Sequence, residues 1–429
     1  MQINIGILGL GTVGNGVVSI LQRHGDLLAH RAGTRLHLKR IATRSPHKGC
    51  STPIDPSIIT DDVEQVLGDP EIHIVAELIG GVEPAREYVL RALSSGKSVV
   101  TANKELIAKH GREIFSLARE KNVDVLCEGS VGGGIPLLKP LRESLIGNRV
   151  ESVMGIVNGT TNYILTQMTR HGRDFEDVLA EAQALGYAEA NPSADIDGWD
   201  AVYKLAILSD IAFSVPVTPE QIFREGIRNI TARDIQYARE LGFVIKLVAM
   251  GRRDKKGSVE LRVHPALLPT SHPLANVHDV FNAVLVHGDA TGDVMFYGRG
   301  AGSEPTGSAV VADLVEAARN FGCDARGRLN DVLEEARIRE FGEVATRFCV
   351  RMQVSDRPGA LGQIATVFGA QGVSLESIVQ KHSDGQSAEI VWMTHRTTQH
   401  AMSSSLSEFE KMDSVREVSS VLRVEGVEE

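Results

Sequence analysis

Cysteine is scarce: the 429 residues hold four, Cys50, Cys127, Cys323 and Cys349. No two form a C-x-x-C pair, which excludes a zinc knuckle or a thioredoxin-type motif. So few thiols suit a reducing compartment better than a disulfide scaffold. Aromatic residues are only 5% of the chain, with two Trp. That is thin for the stacking platforms of a single-strand nucleic-acid surface. Positive charge is not in excess: 45 basic residues face 55 acidic ones, a formal charge of −10. Such a chain is a poor binder of phosphate backbones. Membrane-spanning runs are lacking too. Met1 to Gln22 carries no charged side chain but has no basic n-region. Ser152 to Thr169 is also uncharged, yet Asn158, Thr160, Thr161, Asn162 and Gln167 make it too polar to span a bilayer. The expectation is a cytoplasmic protein with neither a membrane nor a nucleic-acid partner.

What is present is ordinary globular composition, 42% hydrophobic and 23% charged, in a chain long enough for about three domains at roughly 150 residues each. The N-terminal third alternates apolar runs with helical stretches. Ile3–Leu8, Leu36–Thr43, Ile72–Leu78, Ser98–Thr101 and Val123–Cys127 read as strands. Gly16–Arg23, Pro84–Ser95 and Lys104–Lys121 read as helices. This alternation predicts a parallel, doubly wound sheet. In the middle, Asp174–Leu185 and Asp197–Phe213 read as helices. Val259–Val263, Val280–Val286 and Asp293–Phe296 read as strands of a mixed sheet. A Gly-rich loop from Gly298 then leads into an apolar helix, with Pro305 near its first turn. That helix is expected to pack back on the first domain. The tail reads β (Arg347–Val354), α (Ala360–Ala370), β (Ser374–Gln380), β (Ala388–Thr394), α (Met402–Met412), β (Val415–Val424), the split βαβ order of ferredoxin-like folds. The fold class is thus α/β. It has a Rossmann-type dinucleotide-binding domain (1–130 plus 298–330), an α+β catalytic and dimerisation domain with a mixed sheet (131–297), and a ferredoxin-like C-terminal domain (345–429).

Gly9-Leu-Gly11-Thr12-Val13-Gly14 is G-x-G-x-x-G between a strand and a helix. The first Gly permits the tight turn, the second the approach of a pyrophosphate, and the third close helix–strand packing. The helix N-terminus offers free N–H groups to the phosphates. An acidic residue ending the second strand would bind the ribose diol of NAD. Here the stretch is Lys39-Arg40-Ile-Ala-Thr-Arg44-Ser45, with no carboxylate. Arg44, with Arg40, can receive a 2′-phosphate, so NADP is favoured over NAD.

Reducing a carbonyl by hydride needs a proton donor near the oxygen. No histidine lies in a suggestive motif, so lysines are the candidates. Asp200 and Lys204 are i and i+4 on one helix face, where an acidic patch meets an apolar stripe. Desolvation lowers a lysine's pKa and a nearby carboxylate opposes that shift. On these residues alone, a surface ion pair is the better reading. Lys104 follows the fourth strand, at the carboxyl edge where such sheets bind ligands. Glu128-Gly-Ser-Val131-Gly-Gly133-Gly-Ile135 sets a carboxylate before a glycine-rich bend. It reads first as a hinge, although inward carbonyls with one carboxylate suit a hard cation.

The run Ala182-x-x-x-Gly186-Tyr-Ala-Glu189-Ala-Asn-Pro192-x-x-Asp195-Ile-x-Gly198-x-Asp200-x-x-x-Lys204 resembles the signature of homoserine dehydrogenases. Asn158-Gly-Thr-Thr-Asn-Tyr-Ile-Leu165, Gly129–Pro136 and Thr101-Ala-Asn-Lys104 are similar to further blocks of that family, and the likeness covers essentially the whole chain. It implies reversible NAD(P)-dependent interconversion of L-homoserine and L-aspartate 4-semialdehyde, on the route to threonine, methionine and isoleucine. It also implies roles for residues. Lys204 would be the acid/base lysine, with Lys104 in the proton chemistry and near the nicotinamide. Glu189 and Asp200 would hold the substrate. Gly186 and Gly302 would lie against the cofactor. Glu128 and the carbonyls of Val131, Gly133 and Ile135 would hold a monovalent cation, Na⁺. A monofunctional enzyme without a kinase segment is expected, as a homodimer or homotetramer.

The tail resembles an ACT domain through Asp356-Arg-Pro-Gly359, Leu361 and Gly372-Val-Ser-Leu375. This implies an amino-acid effector, L-threonine, and inhibition lost when the chain after Gly342 is removed, with chemistry kept. Two other readings stand beside this one. One is a catalytically silent amino-acid sensor, against which Lys104, Glu189, Asp200 and Lys204 argue. The other is an ACT-bearing 2-hydroxy-acid dehydrogenase, which would need a His–carboxylate pair that is not evident.

Overall fold

The computed structural model describes residues 2–44, 53–323, 336–383 and 385–426; Ser45, Cys50 and residues 324–330 of the expected first domain lie outside them. In chain order the elements are β1 (Gln2–Leu8), α1 (Thr12–Arg23), α2 (Gly25–Ala32), β2 (Arg35–Ala42), β3 (Ile59–Thr60), α3 (Glu64–Leu67), β4 (Ile74–Glu77), α4 (Ala85–Ser94), β5 (Ser98–Thr101), α5 (Lys104–Lys121), β6 (Val125–Leu126) and β7 (Val150–Ile156). Then come α6 (Gly159–His171), α7 (Phe175–Ala184), α8 (Ser193–Ile196), α9 (Trp199–Phe213), β8 (Phe223–Arg224), α10 (Ala232–Glu240), β9 (Phe243–Arg253), β10 (Val259–Pro269), β11 (Phe281–Gly288), β12 (Gly292–Arg299) and α11 (Ser303–Gly322). The chain ends with β13 (Ala345–Ser355), α12 (Ala360–Ala370), β14 (Leu375–Ser383), β15 (Ser387–Thr394), β16 (Thr397–Thr398), α13 (Gln399–Phe409) and β17 (Val415–Val424).

Two compact units share these elements. The first is Met1–Gly159, Asp200–Ile222 and Val280–Ala336. Its first sheet has the order β3-β2-β1-β4-β5-β6, all parallel. The order reverses direction between β1 and β4, the switch point where such sheets bind ligands. β1 is buried at Ile3, Ile5 and Ile7, each 0% exposed. These pack with Val17 and Val18 of α1 and with Val310 and Leu314 of α11. The helix after the Gly298 loop therefore returns onto this sheet. The same unit holds an antiparallel trio, β7-β11-β12.

The second unit is Thr160–Trp199, Phe223–Asp279 and Arg337–Glu429. β9 and β10 form an antiparallel pair eleven residues long. β10 continues in parallel to β17 through Ala266↔Arg423 and Leu267↔Val424. The tail adds the order β17-β13-β15-β14, antiparallel throughout. Its core is aromatic: Phe348, Phe368, Trp392 and Phe409 are all 0% exposed.

Several elements differ from the sequence reading. The last helix starts at Gln399 rather than Met402, because the Thr398 hydroxyl accepts the Ala401 N–H and caps it there. The expected strands Val259–Val263, Val280–Val286 and Asp293–Phe296 are longer or shifted, as β10, β11 and β12. β3, β7, β9, α2, α6 and α10 were not anticipated as elements. No helix among the described residues is long and apolar enough to cross a membrane.

Candidate active site

The dinucleotide cradle follows from its glycines. Gly9 has φ 101°, and a Cβ there would stand 2.6 Å from the Leu78 carbonyl oxygen, so only glycine fits the turn. A Cβ on Gly11 would meet nothing within 4 Å; that side is open for a ligand. α1 starts at Thr12, followed by Val13 and Gly14, with no side chain capping its first turn. α11 starts behind Gly302, φ 127°, also without a side-chain cap. The Ser303 hydroxyl donates to the Thr12 carbonyl at 2.7 Å, bringing the two helix starts together. Uncapped N–H groups beside a bare glycine backbone fit a pyrophosphate. Arg44 is exposed at the end of β2. Arg40 donates to the Ser57 carbonyl at 2.8 Å, while its buried Nε has no hydrogen-bond partner among the described residues.

At the carboxyl ends of β4 and β5 a buried network fixes the start of α5. The Glu77 carboxylate accepts from the Thr101 hydroxyl at 2.7 Å and the Ile79 N–H at 2.8 Å. Burial pushes its pKa up, against the pull of these donors. Asn103 caps α5 by accepting the Leu106 N–H and donates to the Gly81 carbonyl. Lys104 is the first residue of that helix.

Lys104 Nζ then meets Asp200 Oδ1 at 2.8 Å, and Lys204 Nζ meets Asp200 Oδ2 at 2.7 Å. Asn158 Nδ2 also donates to Oδ2, and Lys204 donates to the Val157 carbonyl at 2.7 Å. The Asp200 and Lys204 side chains are 6% and 9% exposed, whereas Lys104 is 42% exposed. The surface reading of Asp200–Lys204 is thus corrected: the pair is buried, because the apolar stripe of α9 turns inward. Burial alone would raise the Asp200 pKa; Lys204 and Lys104 overcome it and hold the carboxyl well below its ordinary value. An ammonium has three N–H donors, and Lys204 spends two on protein, which leaves one for a ligand oxygen.

Glu128 lies at the end of β6. Its carboxylate accepts the N–H groups of Leu137 (2.5 Å), Leu138 (3.0 Å) and Lys139 (2.8 Å). Its own N–H donates to Asp313, whose pKa is pushed well up by burial and by Glu128. Among the described residues no donor is seen on the carbonyls of Val131, Gly133 or Ile135, whereas those of Glu128 and Gly132 are used. Nor do three His, Cys, Asp or Glu side chains converge there. One carboxylate with idle carbonyls is compatible with a hard cation.

Gly186 and Glu189 belong to the second unit. Gly186 has φ 75° in the turn after α7, and Glu189 is exposed nearby. The role of Asn158, a direct partner of Asp200, was not singled out from sequence; only its place in an uncharged N-G-T-T-N stretch could have drawn attention to it.

Three comparisons bear on this site. Residues 9–128 match the family model for the homoserine dehydrogenase NAD-binding domain, 136–315 that for homoserine dehydrogenase, and 350–413 that for the ACT domain. The homoserine dehydrogenase of Pseudomonas aeruginosa is 45% identical over 421 residues, 96% of each chain. The crystal structure of a homoserine dehydrogenase from Thiobacillus denitrificans superposes with a TM-score of 0.93 at 44% identity, covering 99% of this chain and 98% of that one. A hyperthermophilic archaeal homoserine dehydrogenase in complex with NADPH has a TM-score of 0.64 at 30% identity, over 75% of this chain and 99% of that one. With a glycine cradle for a nicotinamide dinucleotide and a lysine–aspartate–lysine group in the same unit, the chain belongs to the homoserine dehydrogenase family, as an oxidoreductase carrying an ACT domain.

Proposed function

We propose that this enzyme interconverts L-homoserine and L-aspartate 4-semialdehyde with a preference for NADP, in threonine, methionine and isoleucine synthesis. We further propose that L-threonine inhibits it through the ACT domain. The observation that carries the chemistry is the Asp200 carboxylate held between Lys104 and Lys204. When bound, the nicotinamide exchanges a hydride with the carbinol or aldehyde carbon. Lys204 Nζ gives its remaining proton to the aldehyde oxygen in reduction and takes one from the hydroxyl in oxidation. Its bonds to Asp200 and to the Val157 carbonyl fix the direction of that proton. Lys104, half-exposed on the same carboxylate, supplies positive charge beside the oxygen as it becomes alkoxide-like. Asp200 and Glu189 hold the substrate's polar groups.

Gly9, Gly11, Thr12, Val13, Gly14 and Gly302 would carry the pyrophosphate, with Gly186 against the cofactor. Arg44 and Arg40 would receive a 2′-phosphate. Glu128 with the carbonyls of Val131, Gly133 and Ile135 would hold Na⁺, which would neutralise a buried carboxylate and brace the bend. A homodimer or homotetramer in the cytoplasm fits this reading.

The test is an absorbance assay of homoserine oxidation with NADP or NAD, with and without L-threonine. Lys204→Ala should lower kcat by about 10²–10⁴ with little change in the KM for cofactor. An unimpaired kcat refutes the assignment. Arg44→Ala should erode the NADP-over-NAD ratio; an unchanged ratio places 2′-phosphate recognition elsewhere. Activity without threonine inhibition would leave the chemistry standing and reduce the ACT domain to dimerisation or to another effector.

A further inference from the structure

A short strap, residues 223–228, runs between the last strand of the ACT domain and the turn that precedes Asp200. On one side the strap is tied to the ACT domain. Arg423 of β17, its side chain 6% exposed, meets Glu225 at 2.7 Å. The same guanidinium lies 5.0 Å over the rings of both Phe223 and Phe341, which stack on each other. On its other side the strap lies against 193–199. The Arg224 guanidinium donates to the Asp197 carbonyl and sits 4.2 Å over the Trp199 ring. The Ile227 N–H donates to the Ile196 carbonyl at 2.8 Å. Gly226 has no room for a Cβ against Ile196 and Asp197. Arg228 holds the Asp197 carboxylate with two N–H groups and reaches the Ser193 hydroxyl at 3.1 Å. β10 fixes the strap's register through Arg262↔Phe223 and Val263↔Arg224.

The geometry of this strap has a consequence for the chemistry. Trp199 opens α9, Asp200 is its second residue and Lys204 lies one turn on. Whatever fixes the Asp197 carbonyl and the Trp199 ring fixes the entry of that helix. We propose that Arg224 is a positioning residue for the reaction, and that the strap couples it through Glu225 and Arg423 to the ACT domain, so that a shift of β17 is felt at the first turn of α9. The coupling needs no bulk domain motion, since Arg423, 6% exposed, holds Glu225 at the β17 end and the Arg224 guanidinium lies against the Trp199 ring at the other. Displacing a reacting group by about 1 Å is enough to cost up to 10²-fold in rate. This rests on the reading of Asp200 and Lys204 as reacting groups.

The chain has two tryptophans, Trp199 and Trp392. In the full-length Trp392→Phe enzyme, Trp199 is the sole indole and reports on the strap directly. Arg224→Met should shift its emission and lower kcat about tenfold with small changes in both KM values, and Arg224→Lys should restore part of each. Arg423→Gln and Glu225→Gln should move the same emission band in the same direction and lower kcat less. In the double variant with Arg224→Met, Glu225→Gln should then cost nothing further, because the link is already cut. Glu225→Gln is isosteric, so it keeps the test open if Arg423→Gln fails to fold. Emission and kcat both indifferent to Glu225→Gln, or effects that add in the double variant, overturn the proposal. The emission readout does not depend on which residue moves the proton. An active Lys204→Ala would therefore remove the catalytic reading while the coupling is still judged by Trp199.

Discussion

A carboxylate shared by two lysines makes opposite demands on burial and charge, and at Asp200 charge wins. Its folded-state pKa is depressed, so its contribution to stability is complete above the ordinary aspartate value and is lost only as pH falls through the lower, folded one. Across pH 5–9 it stays ionised, and no limb of a pH–rate profile in that window belongs to it. Asp200→Asn leaves two ammonium groups facing each other. It should lower kcat by about 10²–10³ and stability by about 3 kcal/mol, the usual cost of breaking a buried pair. Steady-state kinetics and urea unfolding check both, and kcat within threefold of the parent would show that Asp200 does not organise the lysines. Lys246 is the opposite case. It is 1% exposed and donates to neutral acceptors, the Asn162 amide oxygen at 3.0 Å and the Val277 carbonyl at 2.6 Å. Burial brings its pKa down to about 7, against the pull of Asp279. Between about pH 7 and 10 the unfolded chain holds a proton that the folded one has released. Stability should therefore rise with pH there, by up to about 1.4 kcal/mol per unit. Lys246→Met should flatten that rise when unfolding is compared at pH 7 and pH 9; equal slopes in both proteins would refute it.

At the scale of elements, the start of α5 shows how the nucleotide sheet delivers a side chain. The cap at Asn103 and the Glu77–Thr101 bond hold the residues on either side of the β5–α5 junction, and Lys104 rides on the first turn they define. Asn103→Ala removes the cap and its bond to the Gly81 carbonyl. It should cost about 1–2 kcal/mol in thermal or urea unfolding and lower kcat more than it raises the KM for NADP. A change confined to that KM would place Lys104 in cofactor binding alone. Much of this layer was legible in the sequence. The glycine spacing, the strand–helix alternation and the tail's βαββαβ order rest on local turn chemistry and periodicity, which short segments carry by themselves. Other parts were not legible. α6 reads as an uncharged polar stretch because Thr160, Thr161, Asn162 and Thr166 are buried and bonded inside the fold, which no periodicity announces. β9 hides because a buried lysine interrupts its apolar run. The Asp200–Lys204 pair reads as surface because its burial depends on Val157, Asn158 and Lys104, far away in sequence.

At the scale of the whole molecule, the ACT domain is built into its unit rather than appended to it. Its strand β17 is hydrogen bonded in parallel to β10. Glu425 meets Arg262 at 2.8 Å, with the two side chains 6% and 2% exposed. Arg351 of β13 bridges Asp234 of α10 and Glu389 of β15, both at 3.0 Å. The sequence alone suggested a separable module, with the chain cut after Gly342 keeping its chemistry. The geometry argues otherwise. That cut bares the edge of β10 and leaves Arg262 without Glu425 and Asp234 without Arg351. Arg262 keeps Glu260 at 3.3 Å, but the buried Asp234 carboxylate loses its guanidinium partner, at a cost of about 3–5 kcal/mol, and a bare edge strand invites aggregation. The truncated chain should be insoluble, or melt at least about 10 °C below the parent in a calorimetric scan, so its lost activity would say nothing about regulation. A soluble truncated enzyme with the parent's melting temperature would show that these pairs bear little of the fold. Single substitutions at the junction are the better probe of effector response, because they leave β17 on β10 and the two units as they are.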